Sequence, residues 1–516
     1  MKRSIPLVFL LMVGLASSLQ ALAAEPQEKP SGGEKALEQK ASGPEKEPAS
    51  ETFVTRHSMR LDGAEIRYTA TAGTLLMRND AGEPVALFGY TAYTRDGGDK
   101  RTRPLLFAYN GGPGSASMWL HMGILGPQRT VLDDAAFSTK GPFRRVSNDL
   151  SVLGKADLVM LDPVGTGYAR LVGKGEGKDF WGVDQDIRSV SAFIVRYVTE
   201  NGRWQSPKYL LGESYGGIRS GGVALELLRK HALALNGVIL VSPYMDFIAG
   251  NAGLRLDEPY INYLSTYAAT AWYHHAVPDR PAELQPFLRE AERFAQEVYA
   301  PVLLKGNRAT AEERQAVLAG LHRFTGISED YWDRANLRID EGRFAQELLR
   351  GRRETTGRVD SRFKGATLNP LSEFFRWDPF FPAVGAAVIS TFNDYYREDL
   401  KVVMDRPYVG SAELWKDWDQ SHAQPDIDGP KVPIANTAID LAYAMTQNPH
   451  MRLLVQQGYY DLATPYGATD HFLAHLRIED ALRANITVRY YEAGHMMYVH
   501  PESMAAFARD LQGFIE

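Results

Sequence analysis

The chain has no cysteine among its 516 residues. That excludes a disulfide framework, a thiolate metal site and a lipid anchor through cysteine, so stability must come from a packed core. It also has no basic surplus: the formal charge is −6, which gives no electrostatic footprint for nucleic acid. Beyond the first two dozen residues, no apolar run approaches the ~20 residues that a membrane span needs. Hydrophobic residues at 44% and charged residues at 23% are ordinary for a globular protein. The length suits two or three domains, or one domain carrying a large insertion.

The opening residues, MKRSIPLVFLLMVGLASSLQALA, set Lys2 and Arg3 ahead of an apolar stretch broken by Pro6 and Gly14. The stretch closes on Ala21, Leu22 and Ala23, which reads as a secretory signal over 1–23, cut after Ala23. The expected location is therefore periplasmic or extracellular, with no membrane anchor once the signal is removed. Losing Lys2 and Arg3 takes the charge from −6 to −8. Residues 24–50 are rich in Glu, Lys, Pro, Ser and Gly and nearly free of large apolar side chains, the composition of a disordered linker.

From Thr52 to Thr94, alternating runs separated by turn residues predict hairpins. Then LLFAYN (105–110), DLVMLD (157–162), KYLLGE (208–213), GVILVS (237–242), RLLVQQG (452–458) and ITVRYYEAG (486–494) are short apolar runs with little alternation. Such runs suit strands buried on both faces of a sheet. Helical spacing falls between several of them, as in Val183, Ile187, Val190, Ile194 and Tyr197. The expectation is an α/β fold, a mostly parallel central sheet with antiparallel N-terminal strands and helices on both faces. The polar, helical stretch 250–375 reads as an inserted cap between two catalytic segments, 51–249 and 376–516.

LLGESYGGIRSGG (210–222) holds Ser214 in a GxSxG frame, which is weak evidence alone. Here, however, a strand precedes it and a helix, 218–231, follows, so Ser214 should project from a tight elbow as a nucleophile. In this arrangement an acid and then a histidine follow in chain order. Asp461 in QGYYDLATP and His495 in EAGHMMYVHP each come just after a predicted buried strand, and they complete a catalytic triad. His500 reads as a helix-entry residue, Asp470 and His471 as part of a solvated helix face, and His274 and His275 as a poor metal site. In FAYNGGPGSAS a strand runs into glycines that let backbone amides approach a bound group closely. The oxyanion donors are assigned to the N–H groups of Gly112 and Tyr215.

NGGPGSAS, MLDPVGTGYA, GESYGG, GYYDLATP and AGHM stand in the order, and near the spacing, of the serine carboxypeptidases, peptidase family S10. The sequence resembles the bacterial branch of that family from about Phe107 to the C-terminus, least across the cap. The resemblance implies an α/β hydrolase that removes single C-terminal residues from peptides, with no metal and no organic cofactor. It also implies that Asn110, Gly111 and Glu213 hydrogen-bond the free α-carboxylate of the substrate. For that, Glu213 must carry a proton, because two ionised carboxylates repel each other. One departure is informative: the family's second acid, two residues before a Gly-Pro pair, is here Ile124, which cannot hydrogen-bond. Tyr109 stands where Trp is usual, and Met497 where Pro is usual.

The expected activity is that of an exported serine-type carboxypeptidase working on a peptide substrate through an acyl-enzyme. The same fold and triad also serve esterases and acyltransferases on small acyl substrates. A peptide-binding protein without catalysis is a third reading, which an intact triad disfavours.

Overall fold

Three long strands, β1 (Thr52–Leu61), β2 (Ala64–Arg78) and β3 (Pro84–Arg95), form an antiparallel meander. Six shorter ones follow: β4 (Leu105–Tyr109), β5 (Asp157–Asp162), β6 (Lys208–Glu213), β7 (Gly237–Val241), β8 (Arg452–Gly458) and β9 (Ile486–Tyr491). Their order across the sheet is β1-β2-β3-β5-β4-β6-β7-β8-β9, and a two-residue strand, Arg170–Leu171, adds to β3. β3 meets β5 antiparallel, and every pairing from β5 to β9 is parallel. These are the features of a computed structural model that describes residues 47–61, 63–251 and 256–516. The expected signal, 1–23, and residues 24–46 of the expected linker lie outside the described residues.

Alternation within the parallel strands explains their apolar runs. Leu105, Phe107 and Tyr109 of β4 enter the core on one face, and Leu106 and Ala108 enter the core on the other. Val238 and Leu240 of β7 likewise part from Ile239 and Val241. With both faces covered, neither set can be polar. β9 departs from this expectation: it is the sheet's edge and is only partly buried, so its polar residues face solvent.

Helices α1 (Val183–Glu200) and α2 (Gly216–His231) pack on one face, α1 through Ile187, Val190 and Ile194. Between β7 and β8 no described residue joins the main sheet. Here α3 (Glu258–Tyr273), α4 (Leu284–Phe294), α5 (Ala311–Thr325) and α6 (Glu341–Leu348) bury two apolar clusters of their own. A small hairpin, Glu354–Thr356 with Lys364–Ala366, follows them. Next, α7 (Phe380–Asp394) sends Phe380, Val384 and Phe392 into the core on the sheet's second face. The terminal helix, α8 (Pro501–Ile515), covers that same face with Phe507, Leu511 and Phe514. Among the described residues, no helix is long and apolar enough to cross a membrane.

Candidate active site

β6 ends at Glu213 and α2 begins at Gly216, so two residues make the whole turn. Ser214 takes φ +63°, a left-handed conformation that costs an L-residue about 1 kcal/mol or more. Three backbone bonds hold it there. Its N–H donates to Val241 (3.0 Å), and its carbonyl accepts from Gly217 (2.8 Å) and Tyr244 (2.9 Å). Strand and helix also approach so closely that a Cβ on Gly212 would lie 2.2 Å from the Gly216 carbonyl. Only glycine fits there.

Seven of the eight residues singled out from the sequence line one cavity of about 690 Å³: Asn110, Gly111, Gly112, Glu213, Ser214, Tyr215 and His495. The eighth, Asp461, is fully buried behind His495. Asp461 Oδ2 accepts from His495 Nδ1 at 2.7 Å, which fixes the tautomer and leaves Nε2 free. The carboxylate is held in turn by the N–H groups of Ala463 (2.8 Å) and Thr464 (2.9 Å) and by the Thr464 hydroxyl (2.6 Å). His495 is pinned through its backbone as well, its N–H to the Val359 carbonyl (2.7 Å) and its carbonyl to the Ser242 hydroxyl (2.7 Å). Burial opposes the charged form of His495, but the Asp461 carboxylate, helped by Glu213, outweighs it and raises the imidazole pKa above its ordinary value. Arg358 pulls the other way. The Ser214 hydroxyl makes no hydrogen bond among the described residues, so it is free to turn within the cavity.

Facing Ser214 is the loop after β4. A Cβ on Gly111 would fall 2.4 Å from the Tyr215 nitrogen and 2.6 Å from the Glu213 carbonyl, so two backbones touch here. Gly112 follows with φ +109°. Among the described residues, the N–H groups of Gly112 and Tyr215 donate to no backbone acceptor. Two unused donors beside a serine on a strained turn can receive a developing negative charge.

Glu213 is fully buried, and its carboxyl is bracketed: Asn110 Nδ2 donates to Oε1 at 2.6 Å and the Tyr498 hydroxyl to Oε2 at 2.8 Å. Burial is the largest influence and pushes its pKa up to about 7, against the attraction of His495 and these two hydrogen bonds. Asn110 is fixed by its own contacts. Its Oδ1 accepts from the Leu120 N–H, and its carbonyl accepts from Arg219 Nη1 (2.8 Å). Arg219 is itself buried, paired with Asp186 at 2.7 Å and set against the Tyr109 and Tyr215 rings.

Sequence reasoning missed Tyr498, Arg219, Arg358 and Glu341; the last two also line the cavity. Two other readings change. Asp470 is not solvated: it accepts from the Tyr490 hydroxyl, and burial raises its pKa to about 6. His471 meets Glu258 (3.1 Å) and stacks on His475. His500 does enter α8, with Nδ1 against the Ser503 hydroxyl, and His274 Nε2 meets the Ser361 carbonyl.

Residues 70–281 match the family model described as serine carboxypeptidase, peptidase S10. That segment belongs to the serine carboxypeptidase family. It contains the elbow, the glycine loop, Asn110 and Glu213, while Asp461 and His495 lie beyond it and join the site through the fold. Family and fold together support a peptidase. Comparison with curated proteins gives no match. Among solved structures the chain is similar to a prohormone-processing carboxypeptidase of Saccharomyces cerevisiae (13% identity, 86% of this chain and 91% of that one, TM-score 0.49). It is also similar to a proline iminopeptidase of Mycobacterium smegmatis (14%, 86% and 98%, TM-score 0.37) and to a monoglyceride lipase of Saccharomyces cerevisiae (11%, 86% and 94%, TM-score 0.34).

Proposed function

We propose that the protein is an exported serine carboxypeptidase that releases C-terminal amino acids from peptides through an acyl-enzyme. Ser214 Oγ attacks the carbonyl carbon of the last peptide bond as His495 Nε2 takes its proton, and Asp461 holds the imidazole and balances its charge. The N–H groups of Gly112 and Tyr215 receive the oxyanion. The intermediate collapses, the C–N bond breaks, and His495 returns the proton to the leaving nitrogen. Water, deprotonated by the same imidazole, then attacks the acyl carbon and frees Ser214.

The observation that carries the reading is Glu213, a buried carboxyl that keeps its proton to about pH 7 one residue from the serine. A hydrolase acting on a neutral ester has no use for such an acid, whereas a substrate's C-terminal carboxylate gives it an acceptor. Residues 1–23 support export.

The test compares an N-blocked dipeptide carrying a free C-terminus with its C-terminal amide. The free acid should be cleaved much faster, and Ser214→Ala should abolish turnover while peptide binding remains. Equal rates on acid and amide would remove the carboxylate from the reading. Undiminished function in Ser214→Ala would leave a binding protein.

A further inference from the structure

We propose that Tyr498 is a positioning residue for carboxylate recognition: its phenol holds Glu213 Oε2 as Asn110 holds Oε1, leaving the proton of Glu213 to point into the cavity toward the substrate's C-terminus. The inference rests on the carboxypeptidase reading above.

Three observations carry it. The first is occupancy: each carboxyl oxygen of Glu213 accepts from one protein donor, at 2.6 Å from Asn110 and 2.8 Å from Tyr498. An amide N–H and a phenol engaged as donors offer Glu213 no acceptor in that geometry. A carboxyl has roughly four lone-pair sites, so a proton on one of the unused sites finds its acceptor only in the cavity that Glu213 lines. The second is place. The Tyr498 ring reaches Glu213 across the turn His121–Leu125, which carries Ile124 where the family has its second acid. The ring lies so close to that turn that a Cβ on Gly123 would fall 2.3 Å from Tyr498 Cδ2, so Gly123 makes the room. The third is chemical constancy: burial and the neighbouring carboxyl keep the phenol protonated far above the ordinary tyrosine range. A second carboxyl shares one proton with its partner and can act as donor or acceptor. Toward Glu213 the protonated phenol acts as the donor, with Asn110 in turn a donor to the phenol oxygen.

The distinction has a sign. A donor to Oε2 stabilises ionised Glu213, so its loss lets the proton stay to higher pH and also frees it to turn away from the substrate. In Tyr498→Phe the alkaline limb of kcat/KM for the free-acid dipeptide should move up by roughly one pH unit, the scale of one hydrogen bond to a carboxylate. Discrimination between acid and amide should shrink, with the loss falling in KM, because Tyr498 is hydrogen-bonded to Glu213 and not to Ser214. A residue that merely fills space would lower activity evenly across pH and leave the limb in place.

The same titration can be read without turnover, as the infrared band of the protonated Glu213 carboxyl identified by its absence in Glu213→Gln. In Tyr498→Phe that band should persist to higher pH than in the unsubstituted protein. An unmoved limb with unchanged acid–amide discrimination, or an unmoved infrared titration, overturns the role of Tyr498. Should the unsubstituted enzyme itself cleave acid and amide equally, the carboxypeptidase reading falls instead, and the two failures are told apart by that control.

Discussion

Replacing Glu213 by glutamine should pull the two limbs of the pH profile apart. Activity on a free-acid peptide needs a neutral His495 and a protonated Glu213, so kcat/KM rises through the pKa of one and falls through that of the other. With Glu213 at about 7, protonation drops about tenfold for each pH unit above that value, or about 1.4 kcal/mol of recognition per unit. Glutamine donates an N–H at every pH, so the alkaline limb should vanish. Over the acid limb Glu213 is itself protonated and uncharged, so the substitution should leave that limb, which His495 sets, nearly in place. The assay is kcat/KM on an N-blocked dipeptide from about pH 5 to about pH 9, with the matching C-terminal ester as a control that shows the acid limb alone. An alkaline limb that stays near 7 in Glu213→Gln would refute the assignment. So would an acid limb that moves to lower pH, because Glu213 would then be charged where the assignment needs it neutral.

Four further outcomes follow from the same geometry. Glu213 ionises in the unfolded chain near its ordinary 4.5 and in the folded one at about 7, so stability falls as pH rises between those values. Glu213→Gln should therefore gain on the order of 3 kcal/mol over the parent above pH 7 and almost none at pH 4, read by denaturant unfolding at both. Ser214→Gly relieves a left-handed serine and should stabilise the fold by about 1 kcal/mol relative to Ser214→Ala, with hydrolysis lost in both. Gly111→Ala drives a methyl into the Tyr215 nitrogen, and kcat should drop by about 100-fold or more as the donor pair is displaced. Arg358→Met removes a positive charge that lowers the pKa of His495, so the acid limb should shift to higher pH, visible with the ester substrate.

The parts of the fold that were legible in the sequence are those in which one requirement acts alone. Strands covered on both faces must be apolar throughout, which made 105–110, 157–162 and 237–242 readable, and Ser214, Asp461 and His495 follow strands in a fixed chain order. The edge strand 486–491 misled because it carries the same residue types with only one side closed. Pairings across long separations stayed hidden. Tyr498 is 285 residues from Glu213, and nothing in MMYVHP marks its phenol as facing one buried carboxyl. Arg219 sits in α2 among glycines and small residues, and nothing in that stretch marks its charge as buried; only the fold brings Asp186 and the Asn110 carbonyl to it.

Glu213 and His495 also share a constraint that neither shows alone. The two act on each other in opposite senses, the Glu213 carboxylate raising the affinity of His495 for a proton and the His495 imidazolium lowering that of Glu213, so a site holding one proton between them can place it on either group. Only the form with Glu213 protonated and His495 neutral is competent, while its isomer, an imidazolium beside a carboxylate, has the same net charge and no base. A substrate carboxylate arriving at Asn110 and Glu213 raises both pKa values, but it meets Glu213 directly and His495 only through space. Its binding therefore draws the proton to the recognition side and frees the base. Above pH 7 the complex should form with proton uptake, so the heat of binding a free-acid inhibitor should change with the ionisation enthalpy of the buffer, while that of its amide should not. Equal buffer dependence for acid and amide would show that the proton does not move in this way.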